Sequence, residues 1–273
     1  MQVVFFVVSA ALALCYLAVA FFGGAFFYTG RRGFSITTDV LLLVALPSHL
    51  AYLAALGIAY QKLPFTTFFE ALSAIAFFLT FLSCILHIAV KIKAAAVFSF
   101  PLVFVLQLLS VAGSRFIFPD EGFFRSPLFG AHTLSTLLGY AAFALSMIMG
   151  LMYLHLFREL KERKPRRMYD RAPPLELLAR MNQAALVAGF LFLSLGMALG
   201  SILAVRVWGR MPFADPKILL SAALWVIYVV GILLRWVFRW TDRKLSYFSV
   251  SGFTVVVVFM TAVRLFLPTF HRF

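Results

Sequence analysis

Five histidines stand in a chain that carries only 10 acidic side chains, and imidazole is the group here best suited to bind a metal or move a proton. Their settings differ. His132 follows a 19-residue loop, Gly113 to Ala131, that contains Pro119-Asp-Glu121, and His271 closes the segment Leu267-Pro-Thr-Phe-His271. His49 lies inside an apolar run, in Leu46-Pro-Ser-His49, and His87 and His155 stand near basic residues. A second constellation is Trp208-Gly-Arg-Met-Pro-Phe-Ala-Asp-Pro-Lys217, which sets a tryptophan, two basic residues and an acid between two apolar runs. An aromatic face packs on a flat apolar ring and a cation meets its acidic groups, so the fitting ligand is flat, apolar and anionic.

Other chemistries lack their residues. Cys15 and Cys84 both fall in apolar runs, and no Cys-x-x-Cys or Cys-x-x-Cys-His occurs, which argues against disulfide exchange and covalent haem attachment. No Walker loop, His-Glu-x-x-His or Gly-x-Ser-x-Gly is present, so nucleotide hydrolysis, zinc proteolysis and serine hydrolysis have no support. No catalytic set emerges.

The elements that hold these residues follow from hydropathy. The chain is 63% hydrophobic and 12% charged, with apolar runs of about 20 residues, the length a helix needs to cross a bilayer. Backbone in lipid must satisfy its own hydrogen bonds, and such uniform runs do not alternate as barrel strands do. The expected fold is all-α, a polytopic transmembrane helical bundle. Eight spans are expected, at 2–27, 39–60, 65–90, 94–112, 132–157, 183–205, 216–238 and 247–267. The first reads as a retained helix, and residues 1–273 as a single integral membrane domain.

Basic residues orient the spans. Arg31, Arg32, Lys91, Lys93, the eight from Arg158 to Arg180, Arg235, Arg239, Arg243 and Lys244 make 16 of the 24 on one side, leaving 8 on the other. Positive charge favours the cytoplasmic face, so both termini are expected outside the cytoplasmic (inner) membrane. The formal charge of +14 thus reads as a topology signal and a contact for anionic membrane lipid, with no nucleic-acid partner implied.

This orientation places His132, His271 and the external loop 206–217 on one side. Two imidazoles there could fill both axial positions of a haem iron, with aromatic side chains on the macrocycle and arginine at its propionates. A histidine at a helix end is also an ordinary interfacial residue, and His87 and His155 read that way. His49, near mid-span, needs a partner or a cavity: a ligand role and an interhelical hydrogen bond both stand. Gly196 and Gly200 in span six form a small-xxx-small pair that admits a close neighbour. The cytoplasmic loop 158–182 reads as a connector whose core, 161–167, is charged and broken by proline and is expected to be solvated and mobile, with a helix beginning after Pro173-Pro174.

At these residues the chain resembles the CcsA and HemX-like cytochrome c assembly family. That family's external loop runs approximately Trp-Gly-x-x-Trp-x-Trp-Asp-Pro-Lys, and Trp208, Gly209, Asp215, Pro216 and Lys217 fall in register with it. Trp225 and Tyr228 continue a similar Trp-x-x-Tyr, and Pro64 to Glu70 is similar to the lead-in to the third helix. His132 with Gly139-Tyr140, and Leu267 to His271, resemble the two outside histidine motifs. The resemblance covers roughly residues 45–273. It implies axial haem ligation by His132 and His271, a platform built from Trp208, Gly209, Asp215 and Lys217, and a match of His49 to the family's first intramembrane histidine.

The departures are equally specific. Pro212 and Ala214 replace two tryptophans of the loop, Ile218 replaces an acid, and Leu233 stands where a second intramembrane histidine follows the Trp-x-x-Tyr. The resemblance therefore implies a haem-handling accessory protein of cytochrome c biogenesis, working with an assembly partner, more than a complete haem exporter or an enzyme. Two alternatives remain: a HemX-like regulator acting on a haem-biosynthetic enzyme, glutamyl-tRNA reductase, and a stabilising subunit of another membrane complex.

Overall fold

The computed structural model describes residues 1–90, 93–113, 126–163, 166–209, 213 and 215–266, of which 89, 208 and 262–266 are described by backbone only. Among these residues the fold is all helix: α1 (Gln2–Thr29), α2 (Arg32–Tyr60), α3 (Phe68–Ala89), α4 (Ala95–Gly113), α5 (Pro127–Lys161), α6 (Arg167–Arg171), α7 (Leu175–Trp208), α8 (Pro216–Trp236) and α9 (Asp242–Phe266). All but α6 are long and apolar enough to cross a membrane. The protein is a multi-pass membrane protein with eight candidate spans.

Helix ends fall where local chemistry puts them. Thr67 and Glu70 form a reciprocal capping box that starts α3, while Pro127 and Pro216 occupy first turns, where a missing N–H costs nothing. α2 begins seven residues before the expected span and α5 five residues before, so His132 lies in the second turn of its helix instead of opening it. Helices can outrun the hydrocarbon core because their backbone hydrogen bonds are made within the helix and do not end where the lipid does. Apolar runs mark only the part in lipid.

Two compact units form. The first contains residues 1–126 and 155–174; in it α1 packs on α2 and α4, and α3 on α4. Phe5, Leu12, Tyr52, Leu53 and Leu56 make an apolar cluster there. The second unit contains residues 127–154 and 175–273, where α9 packs on α7 and α8. In this unit a Cβ on Gly139 would lie 3.1 Å from the Gly189 carbonyl oxygen, so small residues bring α5 and α7 into backbone contact.

The described residues of the 161–167 core are exposed, as a solvated stretch should be, while the segment on either side of it is attached. Glu159 is buried, and its Oε2 accepts from the backbone N–H groups of Arg166 and Tyr169, both at 3.0 Å, at the start of α6. Arg171 then donates from Nη1 to the carbonyl oxygens of Phe26 and Phe27, the latter at 2.6 Å, at the C-terminal end of α1. A carboxylate at a helix start meets amide N–H groups, a guanidinium at a helix end meets carbonyl oxygens, and each faces a favourable dipole. The attaching charges, Glu159 and Arg171, flank the core.

Candidate functional site

The loop after α7 owes its shape to two of the residues singled out above. Gly209 takes a left-handed conformation, φ 68°, and its N–H bonds the Val205 carbonyl at 2.9 Å, which ends α7 at Trp208. Asp215 is fully buried and caps α8: its Oδ1 accepts from the N–H of Lys217 at 2.9 Å and of Ile218 at 3.4 Å. Gly209 and Asp215 thus stop one helix and start the next, with Lys217 held half-buried in the first turn of α8. The side chain of Trp208, and residues 210–212 and 214, lie outside the described residues, as do Pro119-Asp-Glu121 and His271.

His132 is gripped by α7. Its Nδ1 donates to the Gly196 carbonyl oxygen at 2.7 Å, and a Cβ on Gly200 would stand 2.7 Å from its Cε1 and 2.8 Å from Nδ1. Among the described residues its Nε2 has no hydrogen-bond partner. The ring is half-buried and within electrostatic range of Lys217. A neutral imidazole that donates through Nδ1 keeps its lone pair on Nε2, the arrangement that suits a metal ligand. Chemically, this is one imidazole nitrogen available to a ligand in the neighbourhood of one cation.

His49 is arranged quite differently. It is fully buried, Tyr16 Oη lies 2.7 Å from Nδ1, and Ser73 Oγ lies 2.9 Å from Nε2. Ser73 gives its single proton to Gln107 Oε1 at 2.9 Å, and Gln107 Nε2 donates to Ser9 Oγ at 3.1 Å. Ser73 can therefore only accept from His49, which assigns the proton to Nε2 and leaves Nδ1 to accept from the tyrosine. No lone pair remains free. Four helices, α1 to α4, each place at least one member of this chain, so it fastens the first unit through its apolar interior.

Sequence reasoning missed the partners of His49. The available signal was single polar residues in apolar runs: Gln107 is the only amide in its helix, and Tyr16 shares α1 with Ser9 one face apart by two turns. The second unit holds a similar cluster, in which Asn182 Oδ1 accepts from Ser146 and Ser249, each at 2.7 Å, and Asn182 Nδ2 donates to Ser246 at 3.3 Å. Trp225 donates to Ser194 Oγ at 2.9 Å, and Tyr228 stacks on Phe143 with centroids 3.7 Å apart. Leu233, at the position of the absent histidine, is 49% exposed, an ordinary place for leucine in lipid. His87 pairs through Nε2 with Asp39 at 2.6 Å, and His155 meets the Phe98 ring edge-on.

Comparison with known proteins agrees with this assembly of motifs. The chain is similar to Protein HemX of Brevibacillus brevis, 26% identical over 219 residues that make up 80% of each chain. It is similar to the cytochrome c biogenesis protein CcsA of Chlamydomonas reinhardtii, 24% identical over 261 residues, 89% of this chain and 72% of that one. CcsA of Prochlorococcus marinus (strain MIT 9312) aligns at 26% over 180 residues, 56% of this chain and 58% of that one. The chain thus spans little more than half the length of that last relative. The family model for cytochrome C assembly protein matches residues 65–271, the greater part of the chain from the α3 lead-in to the C-terminal histidine, and by that match the protein belongs to the cytochrome c assembly family.

Proposed function

We propose that the protein binds haem at the outer face of the cytoplasmic (inner) membrane and serves cytochrome c maturation as a haem-handling accessory protein. The observation that carries the reading is His132: a partner at Nδ1 and, among the described residues, none at Nε2, within electrostatic range of Lys217. These residues fit haem, since iron needs a neutral imidazole nitrogen and a propionate needs a cation. Haem, when bound, supplies the iron-bearing anionic ring that a cytochrome assembly partner would receive. His271, at the second motif, would supply the other axial nitrogen. Trp208 would pack on the ring, while Gly209 and Asp215 hold the loop that carries it. His49, with both nitrogens engaged, acts in this reading as a helix fastener and not as an iron ligand.

Titration of the detergent-purified protein with haem tests this. Wild type is expected to give the low-spin spectrum of iron with two imidazoles, and His49→Gln the same spectrum at reduced stability, because glutamine restores part of the hydrogen-bond chain. A wild type without any haem-dependent spectral change would overturn the proposal. That result would favour the regulatory reading, in which the cytoplasmic loops act on a haem-biosynthetic enzyme such as glutamyl-tRNA reductase.

The proposal also requires one topology. The 16 to 8 division of basic residues supports a cytoplasmic 158–182 segment and an external 208–217 loop, with both termini outside. Reporter fusions at those two segments are expected to give opposite signals. A cytoplasmic signal from the second would put His132 on the wrong side and sink the external site.

A further inference from the structure

We propose that Gly196 and Gly200 of α7 are positioning residues for His132: together they select Nε2 as the nitrogen offered to a ligand. The inference rests on the haem reading for its purpose, but its geometry stands apart from it. Three observations combine. The Gly196 carbonyl oxygen accepts from His132 Nδ1 at 2.7 Å although that carbonyl belongs to a long helix. Gly200, one turn further on, leaves the space that the imidazole fills, for a Cβ there would come within 2.8 Å of two ring atoms. Thr136, one turn after His132 on α5, donates to the His132 carbonyl at 2.9 Å and would itself meet a Cβ on Gly196 at 2.4 Å.

A helix backbone ordinarily hides its carbonyls behind side chains. Only where α7 lacks two successive side chains on one face can a ring from α5 lie flat enough to reach a carbonyl. Once made, the bond has two effects: the proton is fixed on Nδ1, and the lone pair on Nε2 becomes a stronger donor because the acceptor polarises the N–H. The small-xxx-small pair is thus used for more than helix approach. It forms a seat for a side chain.

The two glycines differ in what a methyl group would do. At Gly196 it would strike Thr136, including its backbone N at 3.2 Å, and push the helices apart. At Gly200 all three close atoms belong to the His132 ring, so Gly200→Ala is expected to move the ring and leave the helices in place. Gly189→Ala makes the control: its Cβ would meet Phe143 at 2.6 Å and the Gly139 carbonyl oxygen at 3.1 Å, disturbing the same helix pair without touching His132.

The test reads the tautomer directly, by nitrogen NMR of the full-length protein labelled with nitrogen-15 histidine in detergent without haem, the His132 signals being identified by their loss in His132→Gln. Wild type and Gly189→Ala are expected to show His132 protonated at Nδ1 and bare at Nε2. Gly200→Ala is expected to lose that pattern and to need about 10-fold to 100-fold more haem for half-saturation, the usual cost of losing the group that orients a ligand. Wild-type His132 protonated at Nε2, or an unchanged pattern in Gly200→Ala, would overturn the inference. So would equal effects of Gly189→Ala and Gly200→Ala. Wild type that shows the Nδ1 tautomer yet takes up no haem would leave the positioning intact and defeat the haem reading alone.

Discussion

His132→Gly and His271→Gly should each strip most of the haem from the purified protein, and added imidazole should restore it. Losing an axial nitrogen is expected to weaken binding beyond the about 10-fold to 100-fold that follows loss of an orienting group. Glycine leaves room for a free imidazole to occupy the vacated position, so the low-spin spectrum should return with it. His132 has the seat for this role in the contact of Nδ1 with Gly196, whereas His271 enters through its motif alone. Wild-type haem content and spectrum in both variants would remove the ligand assignment.

The largest loss of stability is expected from Glu70→Leu. Lys62 and Glu70 form a buried ion pair at 2.7 Å, with side chains only 2% and 6% exposed. Lys62 also donates to Thr66 Oγ1 at 2.9 Å, and Glu70 Oε2 accepts from the N–H groups of Thr66 and Thr67. Removing the carboxylate leaves a buried ammonium and backbone donors without partners, at about 3–5 kcal/mol. The double variant Lys62→Met with Glu70→Leu should recover most of that loss, because no charge is then left unpaired. Denaturation in one detergent across wild type, single and double variants checks this. A single variant as stable as the double would show that Lys62 finds water, and that the pair is not buried as described.

The glutamate also shows why a motif can be read before its reason is known. Pro64 to Glu70 is visible in the sequence as a lead-in to α3, and a Thr-x-x-Glu spacing there is a capping signature. Its partner Lys62, eight residues earlier, is not, since only the turn between α2 and α3 brings the ammonium onto the carboxylate. The 158–182 segment was legible only in its exposed core, 161–167. Its charge and prolines match a solvated linker, and nothing in the residue order tells that Arg171 reaches the end of a helix some 145 residues away.

Class, eight candidate spans and family are legible in the residue order alone. Apolar runs of bilayer length leave no other backbone solution, and Gly209, Asp215 and Pro216 mark helix ends through local φ preferences and short-range hydrogen bonds. Tertiary structure alone decided what each histidine can do. His49 and His132 are both histidines in apolar helices, yet one spends both nitrogens on Tyr16 and Ser73 while the other keeps Nε2 open because two glycines on α7 make room for its ring. An imidazole has two nitrogens of opposite character, and which is proton and which lone pair is set by whatever partner lies within about 3 Å. Those partners stand 24 to 64 residues away in the chain, at separations that only helix packing closes.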